Sequence, residues 1–400
     1  MSEQPRHKTV TVDQLRIGMY VHELGSTWLA SPFWSRSFAL REAAQLHKIR
    51  SAGIRHAVID LQRGCDVAPE PEPAPAPPPA PPRRADDPAS ADLDYAAAVV
   101  ATSQQAMRAM FSELRMGKAV DASRASAVVA DITAAVLRNA DVLLGLVRLK
   151  HADDYTYMHS VAVCGLMVCL ARELQLDSEQ QQLAGLAGLL HDVGKMAVPL
   201  DILNKPGSLS DEEFHHIRRH PEAGAALLAG IQGLPAAVLD VCLHHHEKMD
   251  GSGYPHGLRD AAISQYARMG AVCDVYDAIT SNRPYKQGWC PAESVRRMAG
   301  WASGHFDPAV FAAFVKCLGI YPAGTLVRLQ SERLALVVAP NPQSLLRPGV
   351  RLVYDIAQAA PLPQQWLDLA ADGADDSIVG SEEAAAWGLD LRQCWLGADA

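Results

Sequence analysis

The sequence predicts a mainly helical protein: a central helical bundle, a small α+β domain before it and a short β-rich appendage after it. Three observations carry this. Stretches from Leu93 to Thr280 repeat apolar residues at helical spacing, short β-prone pieces gather at the two ends, and a Pro/Ala-rich segment from Pro69 to Pro88 separates the first domain from the rest.

The elements follow in order. Between Val10 and Gly64, the β-prone pieces Met19-Tyr20-Val21-His22 and His56-Ala57-Val58-Ile59-Asp60 flank a helical stretch, Leu40 to Ser51, so residues 1–65 form the first domain. Residues 66–91 form an extended, solvated linker. Connecting helices occupy 92–144: Leu93 to Met116 places Tyr95, Val99, Met107, Phe111 and Leu114 near one face, and Ala122 to Leu149 follows. Their Ala-rich stripes suit core or dimer packing. Residues 145–320 hold the bundle, and 321–400 hold the appendage. There Leu326-Val327-Arg328-Leu329 and Leu334-Ala335-Leu336-Val337-Val338 alternate as a hairpin, with Arg351-Leu352-Val353-Tyr354 as a further strand.

Composition limits function. Four hundred residues allow two or three domains and a sizeable core, and the formal charge of -9 argues against a general nucleic-acid binder. Eight cysteines without a CxxC pair show no disulfide framework and point to a reduced cytoplasm. Met1 to Val10 lacks an apolar signal core, and the longest apolar stretch, near Val161 to Ala171, is far short of a membrane span.

Metal-ligand side chains concentrate between His191 and Tyr254, which makes a hydrolase the leading reading. His191 and Asp192 close the apolar run Leu183 to Leu190, stopped by Gly194, and present an imidazole and a carboxylate at a helix end. A carboxylate can bridge two metals, whereas an imidazole caps one, so further ligands must come from other helices. His159 faces inward from Tyr157 to Leu170, as a ligand or as a satisfied core residue. Ser210-Asp211-Glu212-Glu213 is a capping box, and the helix it starts ends near His220, because Pro221 disfavours helical geometry before it. His216 with His220 has zinc-type i, i+4 spacing, although one exposed helix face explains His215 and His216 equally well. His244, His245 and His246 are consecutive and cannot all address one site on a helix; two can if the helix ends there, as Gly251, Gly253 and Pro255 demand. Ile263 to Thr280 reads as a helix carrying Asp274 and Asp277, as ligands or as solvated or capping carboxylates.

These motifs in order, His191-Asp192-Val193-Gly194-Lys195, Asn204-Lys205-Pro206-Gly207, His220-Pro221, His245-His246-Glu247, Asp250 through Pro255, Asp274-Val275-Tyr276-Asp277-Ala278 and Asn282 through Lys286, resemble the HD-GYP family of bacterial cyclic di-GMP phosphodiesterases. The resemblance covers roughly residues 145 to 320 and implies an HD-type helical bundle as the catalytic domain of a cytoplasmic enzyme that linearises cyclic di-GMP and often continues to GMP. It implies His159, His191, Asp192, His220, His245, His246 and Asp274 as metal ligands, with Asp192 bridging. Some members carry a Glu four residues before the first His that brings in a third metal; here that position is Tyr155, so two metals are expected. Lys195, Arg283 and Lys286 are assigned to substrate by the resemblance, with Tyr285 and Lys205 beside them, although Lys205-Pro206-Gly207 also suits a plain turn. Gly253-Tyr254-Pro255 is then the loop where a partner such as a diguanylate cyclase would dock. His305-Phe306-Asp307-Pro308 also matches and reads as structural support for the site. The N-terminal domain resembles the one termed DUF3391, found before many HD-GYP domains.

The chemistry is consistent with that resemblance. Two metals roughly 3.5 to 4 Å apart lower the pKa of a shared water, present hydroxide in line with phosphorus and neutralise phosphoryl charge. Imidazole and carboxylate ligands without cysteine suit two divalent ions, iron or manganese, with zinc allowed. Two other readings compete: a cyclic-dinucleotide sensor without useful turnover, and an HD phosphohydrolase for another nucleotide, including mixed cyclic GMP-AMP.

Overall fold

The computed structural model describes residues 6–15, 17–24, 37–40, 49, 56–65, 88–148, 155–203, 205, 207–281, 288–341 and 343–396. They fall into two units, Met1–Pro82 and Arg83–Ala400.

The first unit is a four-stranded antiparallel sheet of β1 (His7–Thr11), β2 (Tyr20–Leu24), β3 (Phe38–Ala39) and β4 (His56–Asp60), in the order β1-β4-β2-β3. Val10, Met19, Val21, Leu40, Ile49, Ala57 and Ile59 form its core. Both predicted β-prone pieces therefore fall in strands. Of the helix predicted over Leu40 to Ser51, only Leu40 and Ile49 lie among the described residues; the linker through residue 87 lies outside them.

The second unit opens with α1 (Pro88–Arg115) and α2 (Ala122–Arg148). Sequence periodicity predicts α2 as one continuous helix, but it breaks at Asn139, whose backbone is extended at φ -160° and ψ 95°. Asn139 Oδ1 accepts the Val142 N–H at 3.2 Å, as a cap does, and its amide donates to Asp92 on α1 at 3.1 Å. The break therefore restarts the helix and ties it to its neighbour. Next come α3 (Tyr155–Glu173), α4 (Ser178–Leu190), a 3₁₀ turn over Val193–Ala197, the short α5 (Leu200–Leu203), α6 (Asp211–Arg218) and α7 (His220–Ala229). The bundle is completed by α8 (Ala236–His244), α9 (Gln265–Thr280), α10 (Pro291–His305) and α11 (Pro308–Leu318). One continuous core runs through it, from Met107 and Phe111 of α1 through Ile132, Met167, Leu189, Val241 and Met269 to Phe314 of α11. The Ala-rich stripes of α1 and α2 are thus part of the bundle core.

Two corrections concern local features. The capping box at Ser210 and Glu213 forms, but α6 ends at Arg218 and a new helix begins at His220, with Pro221 in its first turn, where a missing N–H costs nothing. Cys169 of α3 and Cys317 of α11 are joined as a disulfide, against the expectation from the scattered cysteines. Their separation of 148 residues in sequence hides the pair from any spacing rule.

The C-terminal strands β5 (Leu326–Leu329), β6 (Arg333–Ala339), β7 (Gly349–Asp355), β8 (Ala360–Asp368) and β9 (Ile378–Ser381) form an antiparallel sheet in the order β8-β7-β6-β5-β9. The predicted hairpin pairs Leu326 with Leu336. Alternation gives the sheet two apolar faces: Val327, Ala335 and Val337 line one, while Leu326, Leu334 and Leu336 share the other with Trp395, Leu93 and Leu146. The second face thereby packs on α1 and α2.

The tightest approach in the bundle brings the 3₁₀ turn against α7. A Cβ on Gly194 would lie 1.9 Å from the His220 carbonyl oxygen and 2.5 Å from the Gly224 nitrogen, and one on Gly224 would lie 2.5 Å from Cys242 Sγ of α8. Only glycines let these backbones meet. Gly194→Ala is expected to cost at least about 1–3 kcal/mol through overpacking, while Gly230→Ala, with open space around its Cβ, should stay within about 0.5 kcal/mol of wild type. Urea denaturation of the two variants measures the contrast.

Candidate metal centre

The site is assembled from helix ends and helix interiors. An Asp177 capping box starts α4, whose last residues, Ala184 to Leu190, are all buried, so His191 and Asp192 emerge into the core where α4 gives way to the 3₁₀ turn. His159 lies within α3 and Asp274 within α9; both are buried. His220 opens α7, and His245 closes α8 with His246 beside it.

Each buried imidazole has one nitrogen already engaged. His191 Nδ1 donates to the Gly188 carbonyl and His220 Nδ1 to that of Ile217, both at 2.7 Å; His245 Nδ1 donates to Val241 and Cys242 at 3.0 Å. His159 Nδ1 donates to Asp277 Oδ2 at 2.7 Å. Since a carbonyl or ionised carboxylate can only accept, these contacts place a hydrogen on Nδ1, so that Nε2 is the nitrogen left to take a proton or a metal ion. These nitrogens converge: Nε2 to Nε2 is 3.2 Å between His159 and His191 and 3.3 Å between His220 and His245. Nitrogens at that separation need a proton or a metal ion between them.

The ligand atoms form two groups, His159, His191, Asp192 and Asp274, and His220, His245 and His246. Asp192 spans them. Its Oδ2 is 3.2 Å from His159 Nε2 and 3.3 Å from His191 Nε2, while Oδ1 is 3.2 Å from His220 Nε2 and 3.9 Å from His245 Nε2. Oδ1 is fully buried and accepts no hydrogen bond among the described residues. Asp274 Oδ1 lies 3.0 Å from His159 Nε2, and Oδ2 lies 3.8 Å from His246 Nδ1.

Electrostatics agree with a cation site. Burial opposes charge on Asp192, but Lys195, His191 and His159 outweigh it and hold the carboxyl well below its usual range; bonds from His159 and His191 do the same for Asp274. Burial also opposes a charged His159, yet without metal Asp192, Asp274 and Asp277 raise it to about 10, so a proton holds the Nε2 position that a metal ion would take. On the other side burial, with neighbouring imidazoles, pushes His245 well down, and burial takes His246 to about 3. One group therefore attracts positive charge, and the other offers neutral nitrogens. Buried orphan oxygen, convergent imidazole nitrogens and donor types all fit divalent metal.

The remaining candidates divide. Lys195, in the 3₁₀ turn and 20% exposed, bonds Asp192 Oδ2. Lys205 Nζ instead binds both oxygens of Glu213 at 2.7 Å, so its ammonium is engaged by the α6 capping box. Arg283, Tyr285 and Lys286 lie outside the described residues. His215 and His216 are exposed on α6, so the i, i+4 pairing of His216 with buried His220 does not form. His244 turns to Asp240 instead of the cluster.

Tyr254 stacks on His246 with centroids 4.7 Å apart, and the Arg218 guanidinium sits 4.5 Å from the same ring. Buried Glu247 shapes that loop by accepting the N–H groups of His256 at 2.7 Å and Leu258 at 3.0 Å. The His305 carbonyl accepts the Met249 N–H, and Asp307 caps α11 while pairing with Arg268 at 2.7 Å, so this segment braces the loop and helices around the cluster.

Sequence reading undervalued Asp277. It is buried, one turn beyond Asp274, and orients His159 through the nitrogen that faces away from the cluster. Its i, i+3 spacing from Asp274 was the available signal.

A family model described as HD domain matches residues 142–310, and one described as domain of unknown function DUF3391 matches residues 7–125. With the site and near-full-length relatedness, the chain belongs to the HD-GYP family of HD-domain metal-dependent proteins. It is 50% identical over 397 residues to cyclic di-GMP phosphodiesterase PA4108 of Pseudomonas aeruginosa, covering 98% of this chain and 96% of the relative. It is 40% identical to cyclic di-GMP phosphodiesterase response regulator RpfG of Xanthomonas campestris, over 38% of this chain and 40% of that one. The 3'3'-cGAMP-specific phosphodiesterase 1 of Vibrio cholerae is 39% identical over 41% of this chain and 38% of its own. Among the described residues no helix is long and apolar enough to cross a membrane.

Asp277→Asn should lower metal affinity about 10–100-fold, because the amide no longer offers a carboxylate to His159 Nδ1–H. Metal-buffer titration reads this directly, and an unchanged affinity would remove Asp277 from the orienting role.

Proposed function

We propose that the protein is a metal-dependent phosphodiesterase that opens cyclic di-GMP to linear pGpG, using two divalent ions at this centre. The observation that carries the proposal is Asp192, whose two oxygens face different ligand groups. In this reading His159, His191 and Asp274 would hold one ion, His220, His245 and His246 would hold the other, and Asp192 would serve both. Imidazole and carboxylate donors favour iron or manganese and admit zinc. When bound, the ions supply Lewis acidity, an acidified water and neutralised phosphoryl charge.

The chain's own residues do the rest. Backbone carbonyls and Asp277 keep the rings of His159, His191, His220 and His245 aimed at the centre, so little reorganisation accompanies substrate binding. Lys195, partly open to solvent beside Asp192, brings a positive charge to a phosphoryl oxygen. Arg283 holds a phosphodiester in bidentate fashion, with Lys286 and Tyr285 beside it. The turn at Gly253, Tyr254 and Pro255 is the docking place for a signalling partner such as a diguanylate cyclase.

The deciding experiment supplies metal-loaded protein with cyclic di-GMP and mixed cyclic GMP-AMP. Turnover of cyclic di-GMP, two metal ions per chain, and loss of both metal and turnover in Asp192→Ala are expected. Binding without turnover of either nucleotide would make the protein a sensor, and preferred turnover of the mixed dinucleotide would change the substrate. Three ions bound reproducibly at the centre would overturn the dinuclear count.

Arg283→Ala with Lys286→Ala should keep both metals and raise KM about tenfold or more, since charge-assisted phosphate contacts are each worth roughly 1.5 to 3 kcal/mol. Steady-state kinetics with metal analysis tests this; an unchanged KM with intact metals would place the phosphate clamp elsewhere.

A further inference from the structure

The third histidine of the run, His244, stays out of the central cluster but has a partner of its own. Its Nε2 approaches His256 Nδ1 to 3.1 Å, close to the 3.2 and 3.3 Å separations of facing imidazole nitrogens within the cluster. Its other nitrogen, Nδ1, lies 2.8 Å from Asp240 Oδ1, and Asp240 Oδ2 is itself held by the Ser264 hydroxyl. His256 is positioned through its backbone N–H on buried Glu247. We propose that His244 and His256 form an accessory site for a divalent cation of the zinc class, with Asp240 orienting His244 from behind and water completing the shell.

The geometry suits the ion. Zinc holds imidazole nitrogens at about 2.0–2.1 Å, which sets two of them about 3.3 Å apart in a tetrahedral shell. A carboxylate on the far nitrogen of a ligating histidine fixes the tautomer and raises ligand basicity. Because Asp240 takes the Nδ1 hydrogen, His244 Nε2 carries a lone pair, and His256 Nδ1 donates to it when no cation is present. Binding requires that His256 turn the lone pair of Nδ1 to the ion and carry its hydrogen on Nε2, at an exposed ring. The site joins the end of α8 to the residue that follows Gly253-Tyr254-Pro255. It stands independently of what the central cluster hydrolyses.

The test dialyses the full-length protein, its central cluster saturated with zinc, against rising free zinc. Wild type and His216→Ala, altered at an exposed histidine of α6, should each take up one further ion per chain that His256→Ala lacks, with the central stoichiometry unchanged. Asp240→Asn should bind that ion about tenfold more weakly. Equal zinc counts in wild type and His256→Ala at every concentration would reduce the pair to a hydrogen bond and overturn the proposal. If His256→Ala disturbs the central zinc, Asp240→Asn decides: an unchanged affinity for the further ion overturns it.

Discussion

The bundle is built around imidazole nitrogens that face one another and need a proton or a metal ion between them. Four buried imidazoles have their Nδ1 hydrogens drawn away by carbonyls and by Asp277, so their Nε2 atoms point into a space shared with Asp192 and Asp274. In a dry interior such an arrangement is costly unless positive charge enters it. A metal ion held at such a centre would also hold together the helices that supply its ligands.

Backbone geometry makes the arrangement specific. Three of the four Nδ1 acceptors are carbonyls three or four residues earlier in the chain, at or just before helix ends, where such groups lack full intrahelical partners. Helix termini therefore aim the rings without dedicated side chains. The same termini are brought together by the contact of Gly194 with His220 and Gly224, which sets His220 beside Asp192. Ligand placement is a result of helix packing, and loop conformation has little part in it.

Much of this was legible in the sequence because metal ligands are chemically rare in apolar helices. Residue type and position made His159, His191, Asp192, His220, His245, His246 and Asp274 candidates among others, the resemblance to the HD-GYP family selected them, and the structure gathers all seven. What periodicity could not reveal depends on contacts distant in sequence. Asn139 breaks α2 where the apolar pattern runs on, since its side chain finds Asp92 and the Val142 N–H. Asp277 resembled a surface carboxylate because its partner lies 118 residues away. Cys169 and Cys317 were unreadable for the same reason. Lys205 carried a motif yet meets Glu213, a pairing that only the fold of the preceding turn creates.

One imidazole is gripped from both sides by a single helix. Asp274 reaches His159 Nε2 and Asp277 reaches Nδ1, so α9 holds α3 as a two-pin plug holds its socket. Sliding α9 by one residue, about 1.5 Å along its axis, would withdraw both pins together. Any displacement of α9 against α3 therefore acts at once on both sides of the His159 ring.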